Sequence, residues 1–170
     1  MGKIKFFEDK YYFMSNFSRH GFKFNGNYYK TNEHFFQAQK AKTTEDFNKI
    51  LNTNSPGNAK QLGRNIELRE DWEEVKDKIM CIGLVLKFKN NPELIKNLLD
   101  TKNKKLIEGN YWHDNYWGDC ICKECSDIEG KNKLGLQLMD LRAIVDDLTN
   151  TKIVWDPIFK EGILIEYKNQ

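Results

Sequence analysis

The spacing of apolar positions predicts two long helices at the centre of the domain. The first spans about 71–89, and large apolar side chains recur on one of its faces: Trp72, Val75, Ile79, Ile82 and Leu86. Asp71 and Glu74 have the spacing of a capping box at its start. The second helix begins near Asn132, and its apolar residues have the same spacing: Leu134, Leu138, Leu141, Val145 and Leu148. Each helix is therefore expected to bury one face.

Shorter helices are predicted from capping residues and prolines. Thr31 or Asn32 can cap one helix, because each offers a side-chain oxygen to a free backbone N–H. Ser55 followed by Pro56 is a typical helix start, since a proline at the first helical position loses no hydrogen bond. Pro92 opens a further helix. The predicted segments span about 32–42, 44–51, 55–63 and 92–99.

Short strands are predicted on both sides of the helices. Residues 4–29 contain several, and Asn25-Gly26 separates alternating aromatic and polar positions, which is typical of a type I′ hairpin turn. A strand at 105–108 leads into a loop that runs to Gly130, and two strand-like runs follow the last helix. These elements predict an α+β fold, a mostly helical single domain around a small antiparallel sheet. Residues 1–148 form this domain, and residues 149–170 form a C-terminal hairpin extension packed on it.

Composition agrees with one globular domain and narrows the range of partners. The chain has 170 residues, of which 39% are hydrophobic and 31% are charged. The formal net charge of +2 is too small to indicate a protein that coats nucleic acid or binds a membrane surface. No apolar run approaches the roughly 20 residues of a spanning helix, and the start lacks the apolar stretch of a secretion signal. We therefore expect a cytoplasmic protein with no membrane partner.

The first candidate site is a polar stripe on the helix at 32–42. Glu33, Gln37 and Lys40 have the spacing that places them along one helical face. A carboxylate, an amide and an amine along one face can line a site. The alternative is a solvated stripe opposite a core-facing side with Phe35 and Phe36.

The second candidate is the helix that ends at Gly63-Arg64. Gly63 can let another backbone approach closely, and Arg64 carries a permanent charge suited to phosphate or carboxylate. Lys60 lies one turn earlier. The alternative is a glycine C-cap followed by a surface arginine.

The third candidate is a loop at 108–119 that is dense in carboxylates and aromatic rings. It contains Glu108, Asp114 and Asp119 together with His113 and four aromatic residues. Aromatic walls can stack a flat base while a carboxylate works beside them, which suits base recognition or glycosidic chemistry. The alternative is a loop anchored to the core by its tryptophans, with its acids on the surface.

Three cysteines lie close together at Cys120, Cys122 and Cys125. Their spacing can offer three thiolates to zinc, with His113, Cys81 or Asp119 as a conceivable fourth ligand. Paired C-x-x-C knuckles are absent, so the spacing favours reduced thiols in an unmetallated loop over a structural zinc.

Motifs of several other enzyme classes are absent from the sequence. It contains no G-x-G-x-x-G, no Walker A loop, no H-E-x-x-H and no G-x-S-x-G. Dinucleotide oxidoreductases, P-loop enzymes, zincins and α/β-hydrolases therefore have no support. No cofactor and no metal ligand are expected at the active site.

Taken together, these stretches resemble the NADAR family, also called YbiA-like proteins. Any one matching segment is weak evidence, but their number and order make the resemblance specific. It covers about 5–144, and its main segments are 13–17, the Asn-Gly hairpin, 32–40, 55–64, 69–72, 106–108, Asp114, 117–118 and 132–142. The resemblance favours a role in the site over a surface position for Glu33, Lys60 and Arg64.

The resemblance implies an N-glycosidase with the YbiA-like fold. Its substrate would join a heterocyclic base or amine to a ribose phosphate or to ADP-ribose. Two substrate groups are associated with the family, namely riboflavin-pathway intermediates and ADP-ribosylated guanine in DNA. The expected partner is therefore a small phosphorylated ribosyl or ADP-ribosyl substrate, with ADP-ribosylated DNA as a further candidate.

The resemblance also implies the residues that do this work. Cleavage of a C–N glycosidic bond builds positive charge on the ribose, so the site needs a carboxylate near C1 and a proton donor for the leaving nitrogen. The predicted catalytic residues are Glu33, Lys60, Glu108 and Asp114. Lys60 is either a nucleophile that forms a Schiff base or a phosphate contact. The predicted substrate-binding residues are Asn16, Gln37, Lys40, Arg64, Trp72 and Trp117.

Two segments depart from the family pattern, and two other functions compete. Residues 120–129 fill a stretch where a shorter glycine-rich link is expected, and the C-terminal hairpin lies outside the resemblance. One rival function is a non-catalytic module that binds ADP-ribose or another nucleotide. The other is a zinc-stabilised interaction protein.

Overall fold

The structure, a computed structural model, describes residues 2–148, 151–155 and 163–167. Its helices are α1 (Asn32–Ala38), α2 (Thr44–Leu51), α3 (Pro56–Gly63), α4 (Trp72–Asn90), α5 (Glu93–Leu99) and α6 (Lys133–Leu148), with 3₁₀ helices at Asp9–Met14 and Lys123–Cys125. Its strands are β1 (Lys3–Lys5), β2 (Phe22–Phe24), β3 (Asn27–Tyr29), β4 (Lys105–Ile107), β5 (Gly109–Asn110), β6 (Asp119–Cys120), β7 (Thr151–Trp155) and β8 (Ile163–Tyr167). The predicted α+β, mostly helical fold is confirmed.

The first helices begin where their capping residues predict. The side chains of Thr31 and Ser55 each accept a hydrogen bond from a backbone N–H in the first turn of α1 and α3. The predicted end of α1 near residue 42 is wrong, since the helix ends at Ala38. Beyond it the backbone pairs with a distant segment instead, because Lys40 O accepts from Arg69 N at 2.9 Å. This tertiary pairing competes with further helical turns.

Helix α4 is the central element of the core. The predicted apolar face, from Trp72 to Leu86, is buried, and the stretch 82–88 is buried on every side. Helix α4 packs against α1 and α6. The predicted capping box is wrong, because the Asp71 side chain makes no capping hydrogen bond. The Asp71 carboxylate instead accepts from Arg69 Nε at 2.5 Å and from Nη2 at 2.8 Å.

The close approach of α1 and α4 depends on one glycine. A Cβ at Gly83 would overlap Asn32 Oδ1 and would come within 2.8 Å of Phe35 Cδ1. The fully buried Lys87 lies one turn further along α4, and its ammonium donates to Phe13 O at 2.6 Å and Ser15 O at 2.9 Å. These contacts hold the 3₁₀ helix and the following turn against α4.

The strands differ from the single antiparallel sheet that was predicted. The described residues contain four separate two-stranded pairs, of which β2–β3 and β7–β8 are antiparallel and β1–β4 and β5–β6 are parallel. The predicted type I′ turn is confirmed, since Asn25 has φ 47° and Gly26 has φ 78°. Residues 9–14 form a 3₁₀ helix where a strand was expected. Local patterns could not reveal the parallel pairs, because their partners are far apart or joined by an irregular loop.

The C-terminal hairpin is described only through its two strands. Strands β7 and β8 pair antiparallel, from Thr151 opposite Tyr167 to Trp155 opposite Ile163. The predicted turn at 156–162 lies outside the described residues, as do 149, 150 and 168–170. Packing of the hairpin on the domain stays a prediction. Within the described part of the chain, no helix combines the length and apolar character needed to cross a membrane.

Candidate active site

A cavity of about 330 Å³ lies where α1, α3, the turn after the first 3₁₀ helix and the loop after β4 meet. These segments are distant in sequence, so only the fold brings them together. All of the predicted site residues except Trp72 line this cavity: Asn16, Glu33, Gln37, Lys40, Lys60, Arg64, Glu108, Asp114 and Trp117. Their individual roles stay predictions.

Glu33 and Gln37 are buried, so the alternative of a solvated stripe on α1 is wrong. Their exposed fractions are 5% and 3%, and every residue of α1 is buried. Gln37 Nε2 donates to Glu33 Oε1 at 2.7 Å, which orients the carboxylate. Burial raises the pKa of Glu33, while the hydrogen bond from Gln37 and the charges of Lys60 and Lys40 oppose the rise.

Glu108 is a second acid whose surroundings favour the protonated form. Its burial raises its pKa to about 7, and the negative charges of Asp114 and Glu33 act in the same direction. The charges of Lys60 and Lys87 oppose the rise. Its Oε2 atom is buried and has no hydrogen-bond partner within the described part of the protein. A carboxyl group in this state can donate a proton near neutral pH.

Asp114 is held by the turn that it starts. Its Oδ1 accepts from Trp117 N at 2.8 Å and from Tyr116 N at 3.2 Å. Asn110 is 1% exposed and fixes the other side of the turn, because it donates to Asp114 O at 2.8 Å and accepts from Asp114 N at 3.1 Å. These bonds place the Asp114 carboxylate at the cavity wall beside Glu108.

Three cations, Lys40, Lys60 and Arg64, also line the cavity. Burial lowers the pKa of Lys40, and the charges of Lys60 and Arg64 lower it further, while the charge of Glu33 opposes the fall. Lys60 Nζ lies 5.7 Å from the centroid of the Trp112 ring and 5.8 Å from that of Phe17. Arg64 is exposed at the cavity mouth. Clustered cations that repel one another make a site where an anion is favourable.

Gly63 is required by packing and is not a left-handed C-cap. It is the last residue of α3, and the cap residue Arg64 has ordinary helical dihedral angles. A Cβ at Gly63 would overlap Gln37 Oε1. The close approach expected at Gly63 therefore comes from a side chain of α1 and not from a backbone. It keeps Gln37 in contact with Glu33.

The aromatic residues occupy two layers. Trp117 lines the cavity and meets Phe36 edge to face with ring centroids 5.2 Å apart. Trp72 lies behind this wall, where its ring is 5.0 Å from Phe36 and 5.6 Å from Lys40 Nζ. Direct contact between Trp72 and a substrate is therefore not supported, and Trp72 instead supports Phe36 and Lys40.

The sequence did not predict several residues of the lining. Tyr12 and Trp112 line it while 46% and 56% exposed, and Phe17 and Asn110 also contribute. Trp112 belongs to the aromatic loop that was singled out, so a signal existed for it. Tyr12 gave no such signal, because a single tyrosine in a short irregular segment has no period that reveals its direction.

The sequence model of the NADAR domain family matches residues 5–146. The chain belongs to the NADAR family. A Shigella flexneri protein named N-glycosidase YbiA is 40% identical over 136 residues, which cover 79% of this chain and 81% of that protein. The NMR structure of Escherichia coli YbiA matches with a TM-score of 0.75 and 37% identity, and the match covers 85% of each chain. The predicted YbiA-like fold is thereby confirmed.

A third relative is a longer protein, of which only a segment matches this chain. The Zea mays protein named riboflavin biosynthesis protein PYRR, chloroplastic, is 33% identical over 146 residues. The match covers 76% of this chain and 22% of that protein. The NADAR domain thus also occurs as one part of a larger chain.

The cysteine segment of this NADAR domain lies next to the aromatic loop. Four possible ligand atoms lie within 4.8 Å of one another, namely Sγ of Cys120, Cys122 and Cys125 and a ring nitrogen of His113. Of the other conceivable ligands, Cys81 is an exposed residue of α4, and Asp119 Oδ2 accepts from Lys5 Nζ at 3.2 Å. The fold therefore selects His113.

Proposed function

We propose that this protein hydrolyses the C–N glycosidic bond between a phosphorylated ribose and a heterocyclic base or amine. One observation carries the proposal. A single cavity is lined both by the carboxyl groups of Glu33, Glu108 and Asp114 and by the cations Lys40, Lys60 and Arg64. The first group suits a developing sugar cation, and the second suits a phosphate.

The enzyme class that the sequence predicts, a hydrolase of N-glycosyl compounds, is confirmed at the level of the family. The relative named N-glycosidase matches over most of its own length and most of this chain. The following assignment of roles and substrate is our proposal.

Glu108 donates the proton that the leaving nitrogen needs. Its pKa of about 7 keeps a large fraction of the side chain protonated at neutral pH. Its Oε2 has no hydrogen-bond partner among the described residues, so the carboxyl group can turn toward a ligand without breaking a hydrogen bond of that atom. Two acids of one site can thus take different roles because their environments differ.

Asp114 and Glu33 complete the hydrolysis. The Asp114 carboxylate, fixed by two backbone N–H groups, stabilises the positive charge that builds up at C1. Water attacks C1 as the C–N bond breaks, and Glu33 takes the proton that the water loses. The hydrogen bond from Gln37 orients Glu33, and this bond and the charges of Lys60 and Lys40 favour the carboxylate form that the step needs. The products are a phosphorylated ribose and the free base or amine.

The cations hold the phosphate. Binding a phosphate beside Lys40, Lys60 and Arg64 relieves their mutual repulsion and replaces it with charge-assisted hydrogen bonds. Of the two roles open to Lys60, its position between two aromatic faces favours the phosphate contact. The cation–π contacts with the two rings hold the Lys60 ammonium in place beside the cavity, which suits a contact with a phosphate.

The size of the cavity favours a mononucleotide-sized substrate. A volume of about 330 Å³ lies near the lower end of the roughly 300–1,000 Å³ range of small-ligand pockets. A riboflavin-pathway intermediate is such a compound, and the name of the maize relative supports this choice. ADP-ribosylated guanine is the second candidate, since the exposed Arg64 and Trp112 at the mouth could contact the part of a larger substrate that extends outside.

The test places the purified protein beside two substrates, with products identified by mass spectrometry. They are the pyrimidine intermediate of riboflavin synthesis and an oligonucleotide that carries ADP-ribosylated guanine. Ribose 5-phosphate from the first supports the proposal, and intact ADP-ribose from the second alone supports the second candidate. The control variant Glu74→Gln removes an exposed carboxylate of α4 and should keep full activity. Binding of ADP-ribose with no cleavage of either substrate would show a non-catalytic binding module.

A further inference from the structure

Four side chains beside the cavity have the composition and arrangement of a metal site. Three thiols and one imidazole, from His113, Cys120, Cys122 and Cys125, have ligand atoms within 4.8 Å of one another. The His113 Nδ1 atom lies 3.3 Å from Cys122 Sγ and 3.3 Å from Cys125 Sγ. Cys120 and Cys125 are buried, so two of the thiols face inward and not toward solvent.

These separations are close to those around a tetrahedral zinc ion. Zinc bonds of about 2.3 Å to sulfur and about 2.0 Å to nitrogen give ligand-to-ligand distances of about 3.5–3.8 Å in a tetrahedron. The observed limit of 4.8 Å leaves only small side-chain adjustments. Thiolate and imidazole donors in a set of four select zinc over magnesium or calcium, which prefer oxygen.

The surroundings of the four residues also fit a built site. The second nitrogen of the imidazole, His113 Nε2, lies 3.3 Å from Glu124 Oε2, so a carboxylate can orient the ring from outside. Asn115 Oδ1 accepts from Cys120 N at 2.9 Å and fixes the backbone of one ligand. Cys125 follows Cys122 in a tight turn closed by a bond of 3.1 Å from Cys125 N to Cys122 O.

The backbone at His113 is a further, independent observation. His113 has φ 65°, in the left-handed region that residues other than glycine seldom adopt. Such a conformation persists when surrounding contacts impose it. Here it directs the imidazole toward the three thiols, since Nδ1 reaches two of them.

We propose that His113, Cys120, Cys122 and Cys125 bind one structural Zn²⁺ ion. The sequence by itself favours an unmetallated loop, because paired C-x-x-C knuckles are absent. The fold supplies the missing fourth ligand from the aromatic loop. No position is left for substrate or water, because four protein ligands complete the tetrahedron.

The ion would join the aromatic loop to the cysteine segment. His113 precedes Asp114 and follows Trp112, and both of these neighbours line the cavity. A metal bond to His113 therefore holds the wall of the active site from behind. His113 acts as a positioning residue here and touches no substrate.

The test measures metal in the purified full-length protein kept under reducing conditions. Elemental analysis should find about one zinc per chain. Two variants each remove one ligand, namely Cys122→Ser and His113→Asn, and each should lower the zinc content by about tenfold or more. Asparagine tolerates the left-handed backbone conformation, so His113→Asn removes the imidazole with little backbone strain. The matched control is Cys81→Ser, which removes an exposed thiol of α4 and should leave the zinc content unchanged.

Cobalt titration of the wild-type protein gives a readout that depends on no variant. Co²⁺ added to metal-free protein should produce thiolate-to-cobalt charge-transfer absorption and the strong visible bands of tetrahedral cobalt, saturating at about one equivalent. Zinc should then displace the cobalt and abolish these bands.

Three outcomes would overturn the proposal. The first is a wild-type protein that holds less than about 0.1 equivalent of zinc after loading and gives no tetrahedral cobalt spectrum. The second is a disulfide among the three cysteines that persists under the reducing conditions. The third is a loss of zinc in Cys81→Ser equal to that in the ligand variants. None of these measurements uses a substrate, so the zinc proposal and the N-glycosidase proposal can fail separately.

Discussion

Replacing Glu108 by glutamine removes the proposed proton donor and keeps the size and shape of the side chain. In the wild-type protein, Oε2 of Glu108 is buried without a hydrogen-bond partner among the described residues. The variant should therefore fold normally while losing catalysis. A purely structural carboxylate would show the opposite pattern, with lost stability and retained activity.

The expected loss of rate is that of a missing general acid. Proton donation to a leaving group contributes about 10²–10⁴ in rate, so kcat should fall by about that factor. KM should change little, because the cations that bind the phosphate are untouched. The Glu74→Gln control should retain the wild-type kcat.

The Glu108→Gln substitution should also change how the free energy of unfolding depends on pH. The pKa of Glu108 is raised from 4.5 to about 7 in the folded protein. Because the folded state holds this proton more strongly than the unfolded state, the free energy of unfolding falls as pH rises between these values. The fall amounts to at most about 3 kcal/mol. Glu108→Gln abolishes it, so above pH 7 the variant should be more stable than the wild type.

The assay is kcat/KM and urea unfolding of both proteins between about pH 5 and about pH 9. Wild-type activity should fall about tenfold per pH unit above about pH 7, while the residual activity of Glu108→Gln should be flat there. Burial of Glu108 is the main cause of the wild-type midpoint, and the charges of Asp114, Lys60, Glu33 and Lys87 adjust it. Other titrating groups cancel in the difference between the two unfolding curves.

Two results would refute the reasoning. One is a Glu108→Gln variant whose kcat stays within about tenfold of the wild type. The other is a free energy of unfolding of the wild type that, relative to that of Glu108→Gln, does not fall between about pH 4.5 and about pH 7. The first would exclude the general-acid role, and the second would exclude the raised pKa.

Further predictions concern the cations and the helix packing. Arg64→Ala should raise KM by about tenfold to about a hundredfold in steady-state assays with kcat nearly unchanged, since one charge-assisted contact contributes about 1.5–3 kcal/mol. Borohydride should trap no substrate adduct on the protein, and an adduct that disappears in Lys60→Arg would instead show Schiff-base catalysis. Gly83→Ala should destabilise the protein by about 1–3 kcal/mol in urea unfolding, because the added Cβ overlaps Asn32. Gly57→Ala, whose Cβ meets only Ser55 Oγ at 3.8 Å, should not destabilise it.

Local chemistry accounts for the elements that the sequence predicts well. Thr31 and Ser55 cap their helices, and Asn25-Gly26 forms its turn, because these effects act within a few residues. The core face of α4 follows from its period, since a helix places positions with this spacing on one face. The early end of α1 and the unused capping box at Asp71 could not be predicted this way. Both result from contacts with Arg69, which competes for the same groups.

The sequence indicated the residues of the candidate site one segment at a time, but it did not show how these segments are arranged around a cavity. Glu33 and Lys60 lie on different helices, and Glu108 lies beyond α5. The resemblance to the NADAR family predicted that these residues share one site, and the structure places them around one cavity. Trp72 shows the limit of this reasoning, because a segment that matches a family does not reveal which side of a wall an aromatic ring occupies.

Sequence alone determined where the helices occur, two of their caps, the hairpin turn, the family and nine of the residues that line the cavity. These features depend on periodicity, short-range hydrogen bonds or residue identity, all of which the chain carries locally. Tertiary structure decided the parallel strand pairs, the burial of Glu33, the raised pKa of Glu108 and the meeting of His113 with three cysteines. Each of these depends on desolvation or on distances between segments that only the folded backbone brings together.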